Sequence, residues 1–349
     1  MEVKIDLQWA VGLDGVESID SLVFRLLSAV ERGRSLRSAA KECGASYRHA
    51  WGLMQQWEQR LGAPLLKLQR GRGASLARLG RALLWSQRHA EARLRPTLGS
   101  LAAEVGHELG SLADRSNPLQ LVASHDLAIE LLRERLSEDK IRPFSVLYRG
   151  SMDAVAQLGA GHCDLAGYHI PDLPQSSRIE ANFHRLLPAD ELQSIQFVDR
   201  SQGLMLPPGN PMQVRQLRDL ADNGLRFLNR QAGSGTRLLF DELLARAHLQ
   251  PGNIRGYEAE EFTHLAVAAM VASGAADAGF GVRAAAERFG LDFVPMVREH
   301  YLLAFRKSER NSDWVKSLLG LLNDDPDLRE AISALPGYDC SGMGEPWHK

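Results

Sequence analysis

The spacing of apolar and polar positions changes its rhythm several times along the chain. Val3, Ile5, Leu7 and Trp9 alternate with polar neighbours, the two-residue period of a short strand over residues 4–11. Leu22, Val23, Leu26, Leu27 and Val30 recur at threes and fours, which predicts a helix over 18–30. Ser35 caps a second helix over 36–43, with Leu36, Ala39 and Ala40 inward, and Gly44 breaks it. Ser46 caps a third over 47–61, with Ala50, Leu53, Met54 and Trp57 at core spacing. Residues 64–69 and 74–76 read as two short strands around the basic tip Arg70-Gly71-Arg72-Gly73. A long helical period follows over 79–112, through Leu83, Leu84, Leu94, Leu98, Leu101, Val105 and Leu109, with Pro96 as a point of bending. Residues 114–118 are polar and contain a proline, the signal of a domain boundary.

From Leu119 short apolar runs and amphipathic segments take turns. Strands are expected at 119–123, 144–148, 165–168, 195–198, 203–206, 227–229, 277–281, 293–297 and 301–305. Helices are expected at 127–136, 154–160, 266–272, 314–322 and 328–335, with another opening near Ser234. This alternation predicts a doubly wound α/β sheet, with ligands outside the carboxyl ends of its strands. Three turns share one form, strand then serine then helix, at Ser124, Ser151 and Ser234. The last is the most developed: Arg230, then Gly233-Ser234-Gly235-Thr236, then Arg237. Its glycines leave backbone N–H groups uncovered, and hydroxyls, the helix dipole and two guanidiniums face one spot, so the turn is a candidate anion site. It lacks the lysine of a phosphate-cradling P-loop. The spacing around Ser234 is also wrong for a hydrolase elbow. No His–acid pair is placed to activate that serine, so binding rather than catalysis is expected. His125, His169 and His264 follow strand or helix ends that should meet the same cleft, without metal-ligand spacing. Asp126 and Asp153 are read as helix caps, because an acidic group repels an anion.

Charge divides the chain. Between Arg32 and Arg95 fourteen basic residues face three acidic ones, a balance of +11 in a chain whose net charge is −2. The remainder therefore carries −13. A basic block beside an acidic body reads as a nucleic-acid-binding region joined to something else. Two short helices around a glycine turn form a helix-turn-helix pattern. Its second helix would present Ser46, Tyr47, Arg48 and His49 to double-stranded DNA, with Ser35 and Arg37 beside it and Arg70 and Arg72 on the wing. Three widely separated cysteines suggest reduced thiols and a cytoplasmic protein. The first residues lack the apolar core of a signal peptide, and no apolar run approaches a membrane span.

Residues 35–41 (SLRSAAK), 46–51 (SYRHAW), 61–65 (LGAPL) and the glycine-containing wing resemble the winged helix of the ModE family of molybdate-responsive transcription regulators, close to the LysR type. Ser124-His125-Asp126, Gly150-Ser151, the run from Gly161 to His169 and the run from Asn229 to Arg237 resemble the type 2 periplasmic-binding-protein fold, in the version fused to molybdenum-related regulators. Gly256-Tyr257, Thr263-His264 and the run from Ala276 to Val282 belong to the same pattern. The resemblance implies a winged helix-turn-helix over 1–80, a linker and dimerisation helix over 81–117, and a two-lobed ligand-binding domain over 118–349. Lobe one is expected at 118–198 and 298–349, lobe two at 199–297. It implies a homodimeric or larger, ligand-responsive transcription regulator and not an enzyme, with no cofactor. Its effector would be a small anion, with molybdate, tungstate or a molybdenum-cofactor-related species in first place. Expected ligand contacts are Ser124, His125, Ser151, His169, Arg230, Ser234, Gly235, Thr236, Arg237 and His264. A regulator of a carboxylate or phosphate metabolite fits the same residues, and an enzyme of molybdenum-cofactor synthesis is the remaining alternative.

Overall fold

The computed structural model describes residues 3–12, 15–69, 73–112, 118–138, 144–173, 178–187 and 190–347. The chain divides into two compact units, Asp6–Glu91 and, with the first five residues, Ala92–Lys349. The division falls inside the long helix, earlier than the boundary expected at 114–118.

In the first unit a two-residue strand pair, β1 (Ala10–Val11) and β2 (Glu17–Ser18), replaces the longer strand expected over 4–11. Helix α1 (Ser21–Glu31) starts three residues later than its apolar spacing suggests, because Asp20 takes the cap by accepting from Leu22 N. Helices α2 (Leu36–Glu42) and α3 (Tyr47–Leu61) are capped by Ser35 and Ser46, as expected. Gly44 turns the chain between them at a φ of 72°, in the left-handed region. Val23, Leu26, Leu27, Ala39, Ala50, Met54, Trp57 and Leu65 form one buried core. The antiparallel pair β3 (Leu66–Gln69) and β4 (Gly73–Leu76) makes the wing. Arg70 and Arg72 lie outside the described residues. Helix α4 (Arg78–Leu112) contains Pro96.

The second unit is a mixed sheet in the order β10-β9-β11-β8-β12-β7-β5-β6, with β13 paired on β8. In chain order its elements are β5 (Leu119–Ala123), α5 (Leu127–Glu138), β6 (Phe144–Tyr148), α6 (Ser151–Gly159), β7 (Leu165–Pro171), α7 (Arg178–Leu186) and β8 (Leu192–Leu206). Next come α8 (Arg218–Asp222), β9 (Phe227–Arg230), α9 (Gly235–Arg246), β10 (Glu260–Glu261), α10 (His264–Ala272), β11 (Ala278–Val282) and α11 (Arg283–Arg288). The last are β12 (Asp292–Arg306), α12 (Asp313–Asp324), α13 (Pro326–Ser333) and β13 (Tyr338–Asp339). Strands β5, β6 and β7 are parallel at one end of the sheet, and β9, β10 and β11 are parallel at the other. Two apolar layers cover the faces. Helices α5, α10, α12 and α13 feed one; α6 and α9 feed the other.

The largest departure from the sequence reading is in β8 and β12. Each was expected as two short strands; each is a single fifteen-residue strand. The expected breaks are the polar runs Asp199–Gln202 and Arg298–His300. These face each other across the antiparallel pair, Glu299 opposite Arg200 and His300 opposite Asp199. His300 Nδ1 lies 2.6 Å from Asp199 Oδ1, and Arg298 Nη2 lies 2.9 Å from Asp199 Oδ2. Cross-strand pairing of charge keeps the ladder going where hydropathy alone breaks it. The expected lobe limits at 198/199 and 297/298 therefore fall in mid-strand.

Candidate functional site

In the first unit, Ser46, Tyr47, Arg48 and His49 are all exposed at the start of α3. Ser46 Oγ accepts from His49 N at 3.1 Å and Ser35 Oγ accepts from Ser38 N at 3.2 Å, so both hydroxyls cap helices. The Arg37 guanidinium stacks 5.0 Å over the Tyr47 ring, which prefixes an aromatic and a cation side by side on the exposed face. Ser46, Arg48, His49, Gly52, Leu53 and Gln56 line one concavity on this helix.

In the second unit, polar side chains gather where strand ends meet helix starts. Ser124 follows β5 and Ser151 opens α6. Their hydroxyls lie 3.3 and 3.0 Å from His169 Nδ1 on β7. A Cβ on Gly235, the first residue of α9, would lie 3.2 Å from Ser151 Oγ and 3.5 Å from His169 Nδ1. All three strand–serine–helix turns are thus brought together. The Tyr301 ring meets His169 edge-on at 4.0 Å, and its hydroxyl donates to Ser124 O. Burial, then Arg200 and Arg230, push the His169 imidazole well below its ordinary range. Burial and the same two arginines do so for His264, with His125 and His169 adding to the effect. Both rings are neutral at pH 7.

The two buried arginines differ. Arg200, on β8, is held between Asp126 and Glu299, and Tyr338 donates to Asp126 at 2.7 Å. Burial works against its charge, but the two carboxylates outweigh it and raise its pKa. Arg230, at the end of β9, is 2% exposed and has no carboxylate at ion-pair distance among the described residues. Its Nη2 donates to Phe262 O at 2.9 Å and its Nε to Gln231 Oε1 at 3.2 Å, while Nη1 is buried without a partner among the described residues. Burial, reinforced by Arg200, lowers its pKa to about 9 against the opposing pull of Glu299 and Asp126. His169 Nε2, His264 Nδ1, His125 Nδ1 and Gln202 Oε1 are buried and unpartnered as well. Unmade hydrogen bonds at buried polar atoms are costly, and five such atoms belong to these residues.

Not every expected contact faces this cluster. Arg237 stacks 3.9 Å over Tyr257 and lies near Asp241, Glu258 and Glu260, so carboxylates and a ring brace it inside its own lobe. Ser234 Oγ donates to Gln231 O and accepts from Arg237 N; it caps α9. Thr236 Oγ1 accepts from Gln202 Nε2 at 3.2 Å. His125 Nε2 lies 3.1 Å from Glu130. Burial pushes the Glu130 carboxyl up, but His125, Arg95 and Arg133 bring it below its ordinary value. Asp126 caps α5 through Ala128 N while also pairing with Arg200. Asp126, Arg200, Gln202, Glu299 and Tyr301 were missed as site residues. The one signal for most of them was the pair of polar runs interrupting two apolar strands.

The part of α4 from Ala92 onward packs on this unit with its small residues inward, including Ser100, Ala102, Gly106 and Gly110. Ser100 Oγ accepts from Tyr148 N at 2.9 Å, and Glu104 pairs with Arg149 at 2.8 Å. Arg93 reaches Glu261 at 3.4 Å. Thr263 Oγ1 donates to Ala92 O at 2.7 Å. That carbonyl would ordinarily accept from the N–H four residues on, but residue 96 is proline and has none. Leu94, Leu101, Val105, Leu109 and Leu112 point outward as an exposed stripe. The apolar pattern read as one seam is therefore split between a core-facing and an outward set.

Among the described residues no group of three His, Cys, Asp or Glu could hold a metal ion, and no helix is long and apolar enough to cross a membrane. Comparison with protein families matches residues 131–323 to the PBP superfamily domain and residues 23–81 to the bacterial regulatory helix-turn-helix protein, lysR family. The chain belongs to the PBP superfamily, joined to a LysR-type DNA-binding domain. With these two domains it is a ligand-responsive, DNA-binding transcription regulator. The matching helix-turn-helix model is the LysR one. The protein YvgK of Bacillus subtilis is 29% identical over 245 residues, 70% of this chain and 78% of that protein. A Clostridium pasteurianum protein encoded in the 5' region of a 2Fe-2S ferredoxin gene is 35% identical over 113 residues, 31% of this chain and 96% of that protein. The crystal structure of full-length BenM is 15% identical with a TM-score of 0.43, covering 90% of this chain and 97% of that one.

Proposed function

We propose that the effector of this regulator is a small anion bound by the cluster around Arg230, and that the regulator acts as a dimer through α4. The observation that carries the anion reading is the Arg230 guanidinium: buried, short of a carboxylate, and with one nitrogen that meets no acceptor among the described residues. An anion supplies both the missing charge and the missing acceptor. Ser124, Ser151, His169 and His264 surround it with neutral polar groups, and Gly235 keeps the start of α9 open to close approach. Molybdate and tungstate are candidates through the motif resemblance; phosphate and carboxylate metabolites fit the same charge.

Closure of the lobes around the anion has a route to the rest of the chain. Arg230 bonds the Phe262 carbonyl, the next residue Thr263 holds the Ala92 carbonyl, and α4 begins at Arg78. Ligand binding would bias α4 between two arrangements, and through it the spacing of DNA-binding domains in a dimer. The exposed stripe from Leu94 to Leu112 supports α4 as the dimer contact. Thermal melting with molybdate, tungstate, phosphate, sulfate and short carboxylates tests the anion. A bound anion at about 100 Kd stabilises the fold by about 2.7 kcal/mol. Arg230→Gln should abolish most of that shift. The reading fails if no anion raises the melting temperature, or if the variant keeps the shift in full.

A further inference from the structure

Gln202, on β8 at the centre of the cluster, is fully buried. Its Nε2 donates to Glu299 Oε1 at 2.8 Å and to Thr236 Oγ1 at 3.2 Å. The carboxylate of Glu299 can only accept, so the amide has one sensible orientation and its oxygen points the other way. That oxygen, Oε1, is a buried acceptor that no donor among the described residues reaches. Arg230 Nη1 is a buried donor that no acceptor among the described residues reaches. The two residues lie on strands that flank β11, Gln202 on β8 and Arg230 at the end of β9, and Gln202 is bonded to Glu299, whose charge acts on Arg230.

A ligand that satisfies both atoms must accept from one and donate to the other. Sulfate, molybdate and tungstate are fully deprotonated near neutral pH and only accept. An oxygen of such a dianion placed against Gln202 Oε1 would set two acceptors together in a dry site, leaving the amide oxygen unpaired. Resting on the anion reading above, we infer that the effector is an anion carrying its own O–H group, of the hydrogen-phosphate or 2-hydroxycarboxylate kind, rather than a fully deprotonated tetrahedral dianion. The anionic oxygens take Arg230 Nη1, and the hydroxyl hydrogen goes to Gln202 Oε1. A polar group in a buried site discriminates strongly against a ligand that leaves it unpaired.

The test is calorimetric titration of the full-length protein at pH 7 with matched pairs: phosphate against sulfate and molybdate, and lactate against propionate. The inference expects at least one O–H-bearing member to bind on the order of tenfold or more tightly than its partner. Phosphate and lactate distinguish the two kinds of O–H. Arg230→Lys, which keeps the charge, and Arg230→Gln, which removes it, are titrated alongside. Sulfate or molybdate equal to or tighter than phosphate, together with propionate equal to lactate, overturns the inference and leaves the anion reading in place. If none of these anions binds, or if Arg230→Gln binds all of them as the parent does, the anion reading fails and the inference fails with it.

Discussion

The hydroxyl of Thr263 holds a carbonyl that a proline has left without its helical partner, and the cost of removing it is calculable. Thr263 is 1% exposed. Its Oγ1 donates to Ala92 O at 2.7 Å and accepts from Ala266 N at 2.9 Å as the cap of α10. Thr263→Val keeps the shape and deletes the oxygen. Losing the cap costs about 1 kcal/mol. Leaving the partly buried Ala92 carbonyl unpaired costs a further 1–3 kcal/mol or so. The single variant should therefore lose about 2–4 kcal/mol in urea denaturation. The part due to the carbonyl depends on Pro96, because an ordinary residue there would offer its own N–H. In a Pro96→Ala background Thr263→Val should cost only the cap, about 1 kcal/mol. The double-mutant cycle should thus report a coupling of about 1–3 kcal/mol between residues that share no bond. Equal costs in the two backgrounds, within about 0.5 kcal/mol, would refute the account of how α4 is held.

Other consequences concern each unit in turn. Arg48→Ala should weaken binding to a selected duplex by about 1–3 kcal/mol while Tyr47 and His49 stay in place, measured by fluorescence anisotropy at fixed salt. Leu101→Asp with Val105→Asp should convert dimer to monomer in light scattering; an unchanged mass would move the interface off the outward face of α4. His169 and His264 are held neutral in the folded protein but take up protons when unfolded, so their contribution is present above about pH 6.5 and is lost as pH falls below it. Stability should drop by up to about 1.4 kcal/mol per pH unit for each ring, less in His169→Asn or His264→Gln, followed by denaturation between pH 7.5 and 5.5.

The sequence yielded most where one local rule decides the outcome. Ser35, Ser46 and Ser234 cap α2, α3 and α9 as their positions suggest, because a hydroxyl before an apolar period has few other uses. The convergence of Ser124, Ser151 and the start of α9 was legible as a repeated turn form. What was not legible depends on pairs distant in the chain. Arg200 and Glu299 are 99 residues apart, and each alone looks like a reason for a strand to stop. Arg230 and Arg237 look alike in sequence on either side of one turn. Only the fold gives Arg237 a ring and carboxylates and leaves Arg230 without either. The partner of Pro96 is similarly hidden, since nothing local says that a threonine 167 positions on will take the carbonyl it frees.

The central claim joins the buried arginine to DNA binding, and one measurement addresses both. Duplexes selected by the full-length protein from a random pool would be titrated by anisotropy with and without saturating phosphate, lactate or molybdate, for the parent and for Arg230→Gln. At least one of these anions should change the affinity or the footprint of the parent. Arg230→Gln should bind the same duplex as the parent does without anion and show no response when it is added. An anion response of equal size in the variant, or no response in either protein to any of the three, would contradict the account.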